Sequence, residues 1–203
     1  MKRNPDFKRK YKERKLRKTF LIIVEGETEK NYFNKFHNHK IVKKGKNPGI
    51  LKLVKEAKEI NKNYEYYEVW VVSDIDNCSQ KIFDESYKLA RKNNIQIAHS
   101  NPNFEYWILL HFQSEINIPK NQYSKLITKH LGGKKYKKGT GMNDELFNKL
   151  LDKQKTAIEN AKKIKVDNNI HTQCTSVYKL VESLNASKTD KNSKAKHIQM
   201  KLK

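Results

Sequence analysis

Two stretches of the chain are apolar without interruption. Phe20 to Val24 (FLIIV) and Val69 to Val72 (VWVV) each have the length and β-branched content of a strand buried on both faces. Both runs end in acid. The first meets Glu25, Gly26, Glu27, Thr28 and Glu29, and the second meets Ser73, Asp74, Ile75, Asp76 and Asn77. Helical periods follow each. A helix from about Thr28 to Phe36, with Thr28 as its cap, puts Tyr32, Phe33 and Phe36 on one core face. A helix over Gly49 to Lys62 turns Ile50, Leu51, Leu53, Val54, Ala57 and Ile60 inward. A third over Ser79 to Asn93 does the same with Ile82, Phe83, Tyr87, Leu89 and Ala90. Ile41 and Val42 mark a short strand, and Ile95 to Ala98 another. Strand, helix, strand, helix, strand predicts an α/β fold with a mostly parallel central sheet flanked by helices.

Beyond Ala98 the pattern becomes helical. Asn103 to Phe112 is apolar nearly all round, so the helix it predicts is buried, and Glu105 in its first turn is conspicuous. Lys120 to His130 is helical in pattern. Leu131 to Gly141 (LGGKKYKKGTG) holds four glycines and four lysines around Tyr136, the mark of a flexible cationic loop. Asn143 or Asp144 opens one long amphipathic helix to about Ile164, Val166 to Thr172 is a turn, and Thr175 or Ser176 caps a last helix over Val177 to Leu184. The chain is thus expected to hold a basic arm (1–19), one domain (20–184) with a helical C-terminal part, and a basic disordered tail (185–203).

Charge changes this picture from a fold to a partner. The 44 Lys plus Arg against 22 Asp plus Glu give +22, which favours a polyanion, nucleic acid first. A lysine-rich composition accounts for part of the diffuse charge, but the arm is denser than that. Residues 1–19 hold ten basic residues, Arg9, Lys10 and Arg14 among them, beside Phe7 and Tyr11. With Lys134, Lys135, Tyr136, Lys137 and Lys138 they form the expected nucleic-acid contacts: cations for phosphates, rings for bases. The two cysteines form no CxxC, and no apolar run is long enough to span a bilayer. A cytoplasmic protein without membrane contact is expected. The absence of GxxxxGK[ST] speaks against an ATP-binding loop.

The carboxylates give the chemistry. Ligands of open α/β sheets bind outside the carboxyl ends of the strands, which is where Glu25, Glu29, Asp74 and Asp76 fall. Asp74 and Asp76, two apart, would share a face in a regular strand. Such a set suits Mg²⁺ or Mn²⁺, and a divalent ion serves phosphodiester hydrolysis by neutralising charge and activating water. Glu105, beside the same edge of the sheet, is a further site residue.

VEGETE (Val24 to Glu29) with VVSDIDN (Val71 to Asn77) resembles the paired motifs of the Toprim domain. SNPNFEYWILLHF (Ser100 to Phe112), KKYKKG (Lys134 to Gly139) and TSVYKLVESL (Thr175 to Leu184) extend this to a resemblance to RloB-like proteins over about Phe20 to Leu184. The resemblance implies a Toprim-like fold and a metal-dependent nuclease of bacterial anti-phage defence, acting on DNA or RNA, host tRNA included. Glu25 then matches the proposed general acid–base, Asp74 and Asp76 the metal-holding pair, and Glu29 the second acid of the first motif. Glu105 falls in a family motif. His99, Lys137 and Lys138 are candidates for a further catalytic group. A defence-system protein and a second copy of the chain are further expected partners. The alternative is a non-catalytic nucleic-acid-binding or regulatory module of a defence system.

Overall fold

The computed structural model describes residues 19–140, 142–164 and 172–187. Five strands form one sheet in the order β2-β1-β3-β4-β5: β1 is Phe20–Val24, β2 Lys40–Lys44, β3 Glu68–Asp74, β4 Ile95–Asn101 and β5 Cys174–Thr175. β1 to β4 run parallel, and β5 pairs antiparallel to β4 through Ser100 and Asn101. The mostly parallel α/β sheet expected from the alternation is the one observed.

The alternation of side chains across β1 explains the two layers. Phe20, Ile22 and Val24 face one core with Trp70 and Val72 of β3, while Leu21 and Ile23 face the other with Val69 and Val71. All five β1 residues are fully buried, each contributing roughly 1.5–3 kcal/mol of hydrophobic burial. The second layer is closed by α2 (Ile50–Asn61) and α3 (Gln80–Lys92). The first layer is covered by α1 (Glu27–Asn34), α4 (Phe104–Leu109), α5 (Tyr123–His130), α6 (Asp144–Asp152), α7 (Gln154–Lys163) and a last helix, α8, over residues 177–187. Tyr32, Phe33, Phe36, Phe104 and Phe147 interlock edge to face at its centre. Ser183 of α8 donates to Glu68 at the start of β3, and Asn160 of α7 donates to Leu110 O after α4, so the helical C-terminal part closes the domain rather than hanging from it.

Several elements differ from the sequence expectation. The long helix after Asn143 is two helices, broken at Lys153, whose φ of −105° and ψ of 9° are outside the helical range. β4 runs three residues beyond Ala98, because Ser100 and Asn101 find a partner strand in Cys174 and Thr175. Thr28 does not cap α1: Gly26 stands at that position, and the Thr28 hydroxyl accepts from Gly139 N instead. Ile82, expected inward, is 42 % exposed. α8 continues to residue 187, three residues into the stretch expected as tail. The arm, the turn after Ile164 and the rest of the tail lie outside the described residues.

Candidate active site

In the order 2-1-3-4, the chain leaves β1 toward β2 on one side and returns to β3 on the other. The sheet's switch point, the crevice where open α/β sheets take ligands, therefore lies between the carboxyl ends of β1 and β3. The parallel register pairs Val24 with Val72, which places Glu25 next to Ser73 and Asp74. Glu25 N donates to Val72 O at 3.1 Å. Oε2 of Glu25 then accepts from the Ser73 hydroxyl at 2.5 Å and from Asp74 N at 3.2 Å. These bonds lock one carboxylate oxygen against the neighbouring strand.

Asp74 is held from the other side. Its Oδ1 accepts the N–H of Phe104, the first residue of α4, at 2.9 Å. Glu105, the next residue, is 1 % exposed, and its Oε1 accepts from the hydroxyl of Tyr136 at 3.0 Å. Lys138 reaches between these two acids, 3.3 Å from Glu105 Oε2 and 3.6 Å from Asp74 Oδ2. Glu29, in the first turn of α1, is 2 % exposed, and its Oε2 has no hydrogen-bond partner.

The electrostatics follow from three carboxylates, Glu29, Asp74 and Glu105, gathered around one ammonium, with Glu25 a fourth beside them. Burial first, then the charges of Glu105 and Glu25, push the Glu29 carboxyl up to about 7. Burial, with Glu29, Glu105 and Glu25 beside it, raises Asp74 well above the usual carboxylate range. Burial would lower the Lys138 ammonium, but Glu105, Asp74 and Glu29 outweigh it and raise it. Burial and the adjacent Glu105 charge raise the Tyr136 hydroxyl, so it stays protonated and donating.

The expected residues are therefore brought together in part. Glu25, Glu29, Asp74 and Glu105 converge. Asp76 lies past the strand's end, in a turn, so the shared face expected from a two-residue spacing is lost: its carboxylate accepts from Asn77 at 3.0 Å and pairs with Lys120 at 2.5 Å. It still lines the same cleft as Glu25 and Asp74. Tyr136 is not a surface ring for stacking on bases. It is buried and holds Glu105 from behind. Its loop is pinned rather than loose: Gly139 N donates to Thr28, Asn31 donates to Gly139 O, and Tyr136 N donates to Thr128. Lys135 and Lys137 are exposed, and Lys134 pairs with Glu145. Arg9, Lys10 and Arg14 lie outside the described residues. His99 is in the core, 1 % exposed. Its Nδ1 meets the Tyr87 hydroxyl at 2.7 Å and Ser176 at 3.2 Å, and burial lowers it to about 4, so it is neutral and structural.

Sequence reasoning missed two groups, Ser73 and Lys120. Ser73 had a signal, as the polar residue that opens the acidic end of an apolar run. Lys120 had none, being 44 residues from the aspartate that it meets.

Among the described residues, no group of three or more His, Cys, Asp or Glu side chains is arranged so as to hold a metal ion; the Lys138 ammonium stands among the acids instead. The donor set nevertheless fits a hard divalent cation. All its ligating atoms are carboxylate oxygens, the negative charge exceeds the one ammonium, and one buried oxygen of Glu29 lacks a hydrogen bond. Also among the described residues, no helix is long and apolar enough to cross a membrane.

No curated protein and no solved structure shows a significant match to the chain. A family model does: that of RloB-like proteins, over residues 20–184, from the first residue of β1 into α8. The match takes in both acidic strand ends, Glu105 and the Tyr136–Lys138 loop, and the chain belongs to the RloB-like family.

Proposed function

We propose that the chain is a Mg²⁺- or Mn²⁺-dependent nuclease that hydrolyses phosphodiesters of DNA or RNA in bacterial defence against phage. The observation that carries this reading is the convergence of Glu29, Asp74 and Glu105 on Lys138, with Glu25 beside Glu29 and Asp74, at the switch point of the sheet. Such an excess of buried acid is costly unless a cation relieves it, and a strongly basic chain is suited to bring a polyanion to it. The class of reaction draws further support from the resemblance to Toprim nucleases, and the defence role rests on that family resemblance alone.

Glu25, Glu29, Asp74 and Asp76 would hold the ion, which when bound neutralises the phosphodiester and lowers the pKa of water. The remaining work falls to the chain. Glu25, with Oε2 fixed by Ser73, carries a proton to or from the reacting oxygen through Oε1. Glu105 is kept in place by Tyr136 and orients Lys138. Lys138 exchanges its carboxylate partners for a phosphate oxygen when the substrate arrives. Lys135 and Lys137, exposed on the same loop, take flanking phosphates.

One observation favours a second reading. Lys138 already offsets part of the acidic charge without a metal, as in a binding or regulatory module whose acids are structural. The two separate on incubating the purified chain with plasmid, single-stranded DNA and total tRNA in Mg²⁺, Mn²⁺ or chelator, beside Glu25→Ala. Cleavage that chelator and the substitution abolish is the result expected. Salt-sensitive binding without any cleavage would support the module.

A further inference from the structure

A cleft of about 300 Å³ opens beside the acidic centre, and it is apolar where a site for phosphate alone would not be. Glu25 and Asp74 line it. Its wall is Pro48, Leu51, Cys78 and Ile82, from the start of α2 and the segment leading into α3. Lys52 lines it as well. Ile82 is 42 % exposed and Leu51 is half-buried, although both fall on the inward stripe of their helices. Large apolar groups left open to water at the mouth of a charged site mark a binding surface rather than a core.

We propose that this cleft receives one unstacked nucleobase flanking the scissile phosphate, so that the substrate is single-stranded or looped nucleic acid. This rests on the nuclease reading above and names its substrate class. The size fits one nucleoside and not a base pair, since about 300 Å³ is the lower limit for small-ligand clefts. The chemistry fits a base: apolar side chains for its faces, and the Asn77 carboxamide on the lining for its exocyclic groups. The charge fits the strand. Lys52 lines the cleft, and Lys138 pairs with Asp74, which lines it too, so both supply cations for the flanking phosphates. A base inside this cleft cannot remain stacked in a duplex, so duplex substrate would first have to open there.

Cys78 allows a test in the unaltered chain. It is partly exposed in the cleft wall, whereas Cys174 is fully buried. Burial, then the charge of Glu25, raises its thiol, so alkylation is followed by mass spectrometry at mildly alkaline pH. The probes are a short single strand with hydrolysis-resistant phosphorothioate linkages, the same strand made abasic throughout, and the duplex. The ordinary strand is expected to slow Cys78 alkylation about tenfold at saturation, with the abasic strand and the duplex far less effective. The double variant Leu51→Ala with Ile82→Ala should bind the ordinary strand no better than the abasic one. Equal protection by ordinary and abasic strands, or none by either, overturns the proposal. Metal-dependent cleavage with Cys78 unprotected leaves the nuclease and removes the base cleft. Protection without cleavage by the same chain leaves the cleft and removes the nuclease.

Discussion

A Cβ added to Gly26 would stand 2.6 Å from Oε2 of Glu29. The glycine of the EGxxE sequence is thus explained by space and not by backbone conformation, because Gly26 is extended, with φ −125° and ψ 172°. Any residue adopts that backbone, but only glycine leaves room for the Glu29 carboxylate to fold back over the turn between β1 and α1.

Gly26→Ala therefore separates the site from the fold. The methyl group displaces the end of one side chain and no backbone, so stability should change by no more than about 1 kcal/mol. The carboxylate it displaces is one of the proposed ligands. Mn²⁺ affinity should fall roughly 10- to 100-fold, with cleavage falling alongside. Thermal melts and a metal titration on the same preparation check both halves.

Lys138 should have a larger role in stability without metal than with it. It lies between Asp74 and Glu105, and Lys138→Met leaves the buried Glu105 and the partly buried Asp74 without its charge. Half its side chain is exposed, so solvent screens the loss. A destabilisation of about 1–2 kcal/mol in chelator is expected, shrinking when Mg²⁺ is added. Melting curves of parent and variant with and without Mg²⁺ test this, and a deficit that Mg²⁺ leaves unchanged contradicts it.

Glu29 gives a pH dependence whose sign is fixed. Its folded value of about 7 lies above the ordinary 4.5, so the folded chain holds the proton more tightly than the unfolded one. Its relative stability is full below pH 4.5, is lost as pH rises toward 7, and is level above that. In chelator, the parent should lose on the order of 3 kcal/mol relative to Glu29→Gln across this window. His99 and His111, both lowered to about 4 by burial, titrate with the opposite sign but in both chains alike, so they cancel in the difference; Asp74, which the Glu29 charge helps to raise, is relieved in Glu29→Gln and adds to the difference with the same sign. Denaturant unfolding at a series of pH values measures it.

Much of this was legible in the sequence where the signal is local. β1 and β3 announce themselves as apolar runs because each is buried on both faces, and the acids at their ends are placed by the strands themselves. Glu105 stood out as one carboxylate in an apolar helix and is indeed buried and bonded. What was not legible depends on partners far along the chain. β5 is two residues long, and only its pairing with Ser100 and Asn101 makes it a strand. Tyr136 looked like a loop ring for base contact because its glycines and lysines are solvent residues, yet Thr28 and Asn31 of α1 draw the loop down and bury it. Asp76 seemed paired with Asp74 by spacing until the strand ended and Lys120 drew it away. Ile82 fits the inward period of its helix, but that period cannot show where the neighbouring helix stops and a cleft begins.

The central claim is that the acids at the carboxyl ends of β1 and β3 hold a divalent cation, and Mn²⁺ binding measured by calorimetry tests it most directly. The parent chain should bind Mn²⁺. Asp74→Asn should abolish or weaken that binding at least about tenfold, while Asp84→Asn, a change of equal charge on the exposed face of α3, should leave it intact. A parent that binds no Mn²⁺, or an Asp74→Asn chain that binds it as well as the parent does, would contradict the account.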